Sequence, residues 1–113
     1  MTNFHEHKLW QEAYVALMDI HTALDNTDVG PHDHEVVKEL LEVAQNAAAT
    51  IADSLTRRDR RIARDLVFDA VGMVAKTRTH LAVAWGRGLL PDETFRTLDN
   101  KYDQLSEAIQ SFR

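Results

Sequence analysis

Residues 36–55 read VVKELLEVAQNAAATIADSL. Apolar residues recur in this stretch every three or four positions, which is the spacing that places them on one face of an α-helix. The apolar stripe is wider than a single neighbouring helix requires, so we expect this helix to contact more than one neighbour. Its alanines at positions 47, 48, 49 and 52 allow another helix to approach closely. The stretch therefore predicts one of several packed helices in an all-α protein.

Turn residues divide the rest of the chain into three more helical segments. Residues 26–31 read NTDVGP, which predicts that the first helix ends near Asp25 and that Pro31 opens the second. Gly86 and Gly88 supply the positive-φ positions that commonly end a helix, and Pro91 precedes the last segment. The apolar stripe predicted for the first helix is Trp10, Ala13, Tyr14, Leu17, Met18 and Leu24, and the narrow seam predicted for the fourth is Phe95, Leu98, Tyr102, Leu105, Ile109 and Phe112.

The join between the second and third helices lacks glycine and proline. The spacing Thr56-x-x-Asp59 resembles a capping box, in which the Thr56 hydroxyl accepts a backbone N–H at the start of a new helix. We therefore predict a turn at about residues 55–59. Gly72, inside the third helix, disfavours helix by about 1 kcal/mol relative to alanine, which predicts a close helix crossing at that position.

Four helices joined by short loops predict an antiparallel up-down-up-down four-helix bundle, with residues 1–113 forming one domain. In that topology the turn near residue 57 and both chain termini share one end of the bundle. This end is predicted to be basic through Lys8, the arginines of residues 57–64 and Arg113, and the opposite end acidic through Asp25, Asp28, Asp33, Glu35, Asp92 and Glu93.

Composition narrows the class of protein. The chain has 113 residues, of which 44% are hydrophobic and 27% charged, and it has no cysteine, which leaves out disulfide frameworks and thiolate chemistry. No apolar run reaches the roughly 18 residues of a membrane span, and the first residues do not resemble a secretory signal. We therefore expect a cytoplasmic protein that does not enter a membrane.

The net charge of −5 hides an uneven distribution. Residues 1–56 contain two basic and ten acidic residues, whereas residues 57–113 contain eleven basic and eight acidic ones. The candidate nucleic-acid-binding residues are the five arginines of one short stretch: Arg57, Arg58, Arg60, Arg61 and Arg64. They predict either a phosphate-binding site or a solvated turn paired with Asp53, Asp59 and Asp65, and aromatic stacking residues are not expected nearby.

Two histidine-rich stretches, His5-Glu6-His7 and His32-Asp33-His34-Glu35, offer closely spaced metal ligands. The predicted topology places them at opposite ends of the bundle, and no Glu-x-x-His motif of a di-iron bundle is present. We therefore expect no metal site and no cofactor. The sequence also lacks a Gly-rich phosphate loop and a nucleophile elbow, so we expect no enzyme activity and assign no catalytic residue.

Three short motifs carry a family resemblance: LWQEAY at 9–14, IAD at 51–53, and AVG at 70–72 followed by HL at 80–81. The chain resembles the four-helix bundle proteins encoded in intervening sequences of bacterial 23S rRNA genes. It departs from their pattern at Thr50, Ser54, Met73 and Lys76. The resemblance implies a homo-oligomer, a pentamer, without known enzymatic activity. Related bundle proteins of diversity-generating retroelements work with a reverse transcriptase and bind nucleic acid through a basic surface.

The sequence thus favours a non-enzymatic, homo-oligomeric helical scaffold whose basic end contacts RNA or another nucleic acid. The alternative is a protein-protein interaction module that uses surplus apolar faces of the second and third helices for a different protein partner.

Overall fold

A computed structural model describes residues 3–112 of the chain. It contains four α-helices, which are α1 (Lys8–Asp25), α2 (His34–Thr56), α3 (Arg60–Gly86) and α4 (Asp92–Ser111). Short 3₁₀ turns at Phe4–Glu6 and Pro31–Asp33 precede α1 and α2. No β-strand occurs between residues 3 and 112, which confirms the all-α prediction for that range. Arg113, which the sequence predicts at the basic end, lies outside the described residues.

The helix boundaries lie close to the proline, glycine and turn residues of the sequence. The end of α1 at Asp25 and the start of α4 just after Pro91 confirm the predictions. Pro31 opens a 3₁₀ turn that runs directly into α2, so the α-helix itself begins three residues later than predicted. Gly86 is still helical, and Gly88, with φ of 77°, is the one positive-φ residue of the described chain. Gly88 therefore supplies the left-handed position that ends α3.

Each helix packs against the next one along the chain, and α1 also packs against α4. α2 and α3 form the most extensive pair, whereas no Cα atoms of α1 and α3, or of α2 and α4, lie within 8 Å of each other. The four helices therefore surround one core in the order in which they occur, and the molecule measures 45 × 23 × 21 Å.

The core face of α1 differs from the predicted stripe. Ala13, Leu17 and Leu24 are buried as predicted, but Tyr14 and Met18 are 44% and 41% exposed. The full set of buried α1 residues is Leu9, Ala13, Ala16, Leu17, Ile20 and Leu24. The apolar face is rotated because α1 is apolar on two sides, and only one of them faces the core.

The seam predicted for α4 is confirmed in its centre, since Leu98, Tyr102, Leu105 and Ile109 are buried. At its two ends, Phe95 is half-buried and Phe112 is exposed. Within the described residues, α2 exposes no large apolar side chain, so the surplus apolar face predicted for it is wrong. The exposed large apolar residues lie on α1, on α3 and at Phe112, which follows α4.

Polar contacts fix the helices against their neighbours. Arg78 of α3 donates hydrogen bonds of 2.8 and 3.0 Å to the carboxylate of Asp99 and one of 3.3 Å to Asp103, both in α4. Lys101 of α4 forms an ion pair with Asp19 of α1. Because these side chains are partly exposed, each pair contributes on the order of 0–1 kcal/mol. The pairs select one register between helices that the core already holds together.

Contacts between loops bring the helix ends together in two groups. The Thr27 hydroxyl lies 3.2 Å from the Leu89 carbonyl oxygen, and Arg87 donates a 2.8 Å hydrogen bond to Asp33. At the far end the rings of His7 and Phe112 are 5.2 Å apart. Arg87 therefore compensates part of the charge at the end that the sequence predicts to be acidic.

The prediction of a close helix crossing at Gly72 is wrong. Gly72 lies on the exposed side of α3, and a methyl group added there meets no atom of a neighbouring helix within 4 Å. The glycine therefore weakens the helix without serving a contact within the chain.

We expect Gly72→Ala to raise the free energy of unfolding by about 0.5–1 kcal/mol, because alanine loses less backbone entropy on folding. Gly88→Ala is the matched control, since its positive φ makes a side chain unfavourable although the surrounding space is open. It should lower the free energy of unfolding in the same urea titration. A destabilising Gly72→Ala change would contradict the open position of Gly72.

Candidate nucleic-acid interface

The turn between α2 and α3 is built by an aspartate cap. Asp59 has extended backbone angles, and its Oδ1 atom accepts the backbone N–H groups of Arg61 at 2.9 Å and Ile62 at 3.2 Å. The Thr56 hydroxyl instead donates to the Asp53 carbonyl oxygen at 3.0 Å, inside the last turn of α2. The turn position is confirmed, since only residues 57–59 separate the helices, but the capping role predicted for Thr56 is wrong.

One of the five predicted arginines has a carboxylate partner. Arg57 donates from Nε to the Asp53 Oδ1 atom at 2.7 Å and from Nη2 to Oδ2 at 3.4 Å. The hydrogen bond to Asp53, with the charge of that carboxylate, raises the pKa of Arg57 above its ordinary value. Asp53 therefore holds Arg57 against the end of α2, where the negative pole of the helix favours a cation.

The other four predicted arginines are exposed. Between residues 3 and 112 no carboxylate lies within 4 Å of Arg58, Arg60, Arg61 or Arg64. The predicted pairing with Asp59 and Asp65 is therefore wrong. Arg60 and Arg61 also lie in the first turn of α3, which contains no acidic residue, where the helix dipole disfavours positive charge. The Asp59 carboxylate caps this end of α3 but forms no ion pair with these arginines.

A groove of about 900 Å³ runs between the first half of α3 and the end of α4. Its lining consists of Arg60, Ala63, Arg64, Val67, Phe68 and Val71 from α3, with Gln110 from α4 and Phe112, the residue that follows α4. Arg60 and Arg64 line this groove because they are four positions apart on one helical face. The groove therefore combines an apolar surface with two cations and no carboxylate.

Aromatic rings lie next to the arginines, contrary to the expectation from the sequence. Phe68 follows Arg64 by one helical turn and is 66% exposed, the most exposed of the large apolar side chains in the described chain. Phe112 is 37% exposed, and His7 packs against its ring edge-on. The four-residue spacing from Arg64 to Phe68 is visible in the sequence, whereas the approach of Phe112 and Gln110 requires the fold.

The histidine-rich stretches form no metal site in the described part of the chain. Groups of three or more potential ligands close enough for a metal ion are absent from residues 3–112. His7 accepts the Leu9 N–H through Nδ1 at 3.1 Å and so caps α1, and His5 contacts the Asn3 side chain at 2.7 Å. His32 and His34 lie at the start of α2, away from this pair.

Fold and groove together define a helical protein with a basic, partly aromatic surface at one end. No helix within the described range is long and apolar enough to span a membrane. Comparison with protein-family models gives no matching family, and comparison with curated proteins gives no match.

The turn can be tested through its cap. We expect Asp59→Ala to lower the free energy of unfolding by about 1 kcal/mol, because two N–H groups of α3 lose their acceptor. Asp59→Asn keeps an acceptor oxygen and should cost much less, and Thr56→Ala should have little effect. Urea titrations of the three variants would contradict the assignment if Thr56→Ala cost as much as Asp59→Ala.

Proposed function

We propose that this protein is a non-enzymatic, homo-oligomeric helical scaffold that binds nucleic acid, RNA in particular, through its arginine cluster. The observation that carries the proposal is the set of four exposed arginines, Arg58, Arg60, Arg61 and Arg64, for which the described chain offers no carboxylate within 4 Å. Binding of a polyanion would remove the unfavourable interaction among these cations and with the N-terminal pole of α3.

The geometry of the cluster suits a phosphate backbone. Residues four apart on a helix have Cβ atoms about 5–6 Å from each other, so Arg60 and Arg64 can reach neighbouring phosphates of one strand. Guanidinium groups bind phosphate oxygens in pairs, which an ammonium group cannot do. The exclusive use of arginine in this cluster therefore supports phosphate as the ligand.

The net charge of −5 does not oppose this proposal. Charges on the surface are screened over about 8–10 Å at physiological salt, whereas the molecule is 45 Å long. The carboxylates grouped around the far loops therefore contribute little to the potential at the arginines. A strand of nucleic acid meets the local positive charge, not the average of the chain.

Self-association is supported by exposed apolar side chains on α1. Tyr14, Val15 and Met18 are 44%, 51% and 41% exposed and lie on adjacent positions of the helix surface. Trp10 extends this patch, since its ring stacks on Tyr14 at 5.1 Å. Because α1 does not contact α3, copies that meet through the α1 patch would leave the arginine cluster of each copy accessible.

The proposal includes the finer features that the sequence predicts. These are membership in the family of intervening-sequence proteins, a pentamer as that family resemblance implies, an up-down-up-down direction of the helices, and a cytoplasmic location. The loop contacts from Thr27 to Leu89 and from Asp33 to Arg87 support alternating helix directions, because they join the end of α1 and the start of α2 to the end of α3.

A second candidate function is a protein-protein interaction module. It is favoured by the exposed apolar side chains of α3, namely Ile62, Phe68, Val83 and Trp85. A protein partner on this surface would require carboxylates opposite the arginines. Its affinity would fall strongly when the apolar residues are changed and only weakly when the salt concentration rises.

We expect the triple change Arg58→Glu, Arg60→Glu, Arg61→Glu to abolish the gel shift of a labelled single-stranded RNA at low salt. In wild type, the logarithm of the affinity should fall linearly with the logarithm of the salt concentration, by about 0.7 for each phosphate contact. Glutamates in the first turn of α3 suit the helix dipole, so the variant should remain folded.

The matched control is Lys38→Glu, Lys76→Glu, Arg96→Glu, which changes the net charge equally at three exposed positions away from the cluster. This control should retain most of the binding. Equal loss in both triple variants would show that net charge alone governs binding and would overturn the assignment to the cluster.

We expect Val15→Glu with Met18→Glu to reduce the oligomer to a monomer of 12.9 kDa in sedimentation equilibrium, because the charges prevent burial of the α1 patch. Thr79→Glu with Val83→Glu adds the same charge on α3 and should leave the oligomer intact. A monomeric wild-type protein would contradict self-association, and an oligomer that survives the α1 change would exclude this patch as the interface.

A further inference from the structure

We infer that the groove between α3 and α4 holds unpaired bases, so that the protein selects single-stranded nucleic acid over duplex. This inference rests on the proposed function, since the same arginines bind the phosphates. It adds a chemical class of ligand, a base with a free face, and it adds the residue that recognises it, Phe68.

Phe68 is largely exposed to solvent beside the groove. The residue is 66% exposed, and no aromatic neighbour in the described chain stacks on its ring. An exposed planar ring next to a basic groove is the feature with which proteins stack single-stranded bases. In a duplex both faces of each base are already stacked, so only an unpaired base can use it.

Phe68 lies on the same face of α3 as two of the arginines. Arg60, Arg64 and Phe68 follow one another at intervals of one helical turn, about 6 Å along the axis of α3. A strand that runs along this helix can place phosphates against the two guanidinium groups and turn the next base onto the ring. Val67 and Val71 line the groove beside Phe68 and exclude water from that base.

The far wall of the groove lies at the end of α4. It consists of the side chain of Gln110 of α4 and the exposed ring of Phe112, which follows α4 and packs edge-to-face with the ring of His7. The Gln110 amide donates one hydrogen bond to the Ser106 hydroxyl at 3.0 Å, and its second N–H and its carbonyl oxygen can bond to the edge of a base. The groove volume of about 900 Å³ lies within the range of small-ligand sites. A groove of this size accommodates a small number of bases.

Charge complementarity disfavours a face-to-face contact between two copies of this groove. The charged residues that line the groove are both arginines, and none is a carboxylate. A symmetric contact between two copies of this groove would bring four guanidinium groups together without a counter-charge. The lining therefore favours an anionic ligand with a flat apolar part, which describes a nucleotide strand.

The test compares single-stranded RNA, single-stranded DNA and a duplex of the same sequence by fluorescence anisotropy. Phe68→Leu keeps an apolar side chain but removes the aromatic face, and it should weaken both single-stranded ligands about tenfold. It should leave duplex affinity and the salt dependence unchanged. Phe68→Trp should restore or increase single-strand affinity, and tighter binding of RNA or DNA identifies the preferred strand. Val83→Ala, which shortens an exposed apolar residue of α3 outside the groove, is the control for nonspecific effects.

Four results would overturn the inference. Unchanged single-strand binding by Phe68→Leu, with binding still lost in the arginine triple variant, would remove the stacking role and leave the proposed function standing. Equal affinity of wild type for single strands and duplex would have the same meaning. Loss of the oligomer in Phe68→Leu by sedimentation would assign the groove to a second copy instead. Absence of any nucleic-acid binding by wild type would overturn the proposed function together with this inference.

Discussion

The close packing of α2 on α3 constrains the rest of the structure. Ala44, Ala47 and Ala48 of α2 are buried and have only methyl side chains, which allows a neighbouring helix to approach closely. Because the two helices lie side by side, three residues, 57–59, suffice to join them. The exposed arginines lie in this turn, at Arg57 and Arg58, and in the first turns of α3, at Arg60, Arg61 and Arg64. The packing of α2 against α3 therefore fixes where this positive charge lies.

At Tyr102 of α4, burial of the aromatic ring outweighs the cost of a hydroxyl group without a hydrogen bond. Tyr102 is 1% exposed, and its hydroxyl finds no hydrogen-bond partner among the protein groups of residues 3–112. Burial, and then the negative charge of Asp19, raise the pKa of Tyr102 above its ordinary value. An unsatisfied hydroxyl costs about 1–3 kcal/mol, whereas burial of an aromatic ring of 150–250 Å² contributes about 4–6 kcal/mol as an upper estimate. The ring therefore stays in the core, and it fixes the position of α4 and of the groove wall that α4 provides.

The sequence predicted the elements better than their faces. Helix boundaries were predictable because proline, glycine and turn residues mark them, and the arginine cluster was predictable because residue type alone identifies it. The core face of α1 was not, since Tyr14 and Met18 satisfy the helical period as well as Ala16 and Ile20 do. The cap at Asp59 depends on backbone angles in the turn, and the groove joins residues about 45 positions apart. Such features follow from tertiary packing, which local spacing does not encode.

Two carboxylates account for the geometry of the turn, and four exposed arginines around them do not contribute to it. Asp59 alone caps α3 and Asp53 alone holds Arg57, so the two carboxylates account for the geometry of the turn. The side chains of Arg58, Arg60, Arg61 and Arg64 form no hydrogen bond and no ion pair with other described residues. Their mutual repulsion and the positive pole of α3 both act against the folded state, although water screens each interaction. The geometry of the turn therefore does not require these four arginines. A polyanion would reverse the sign of the interaction among them, which is the basis of the proposed function.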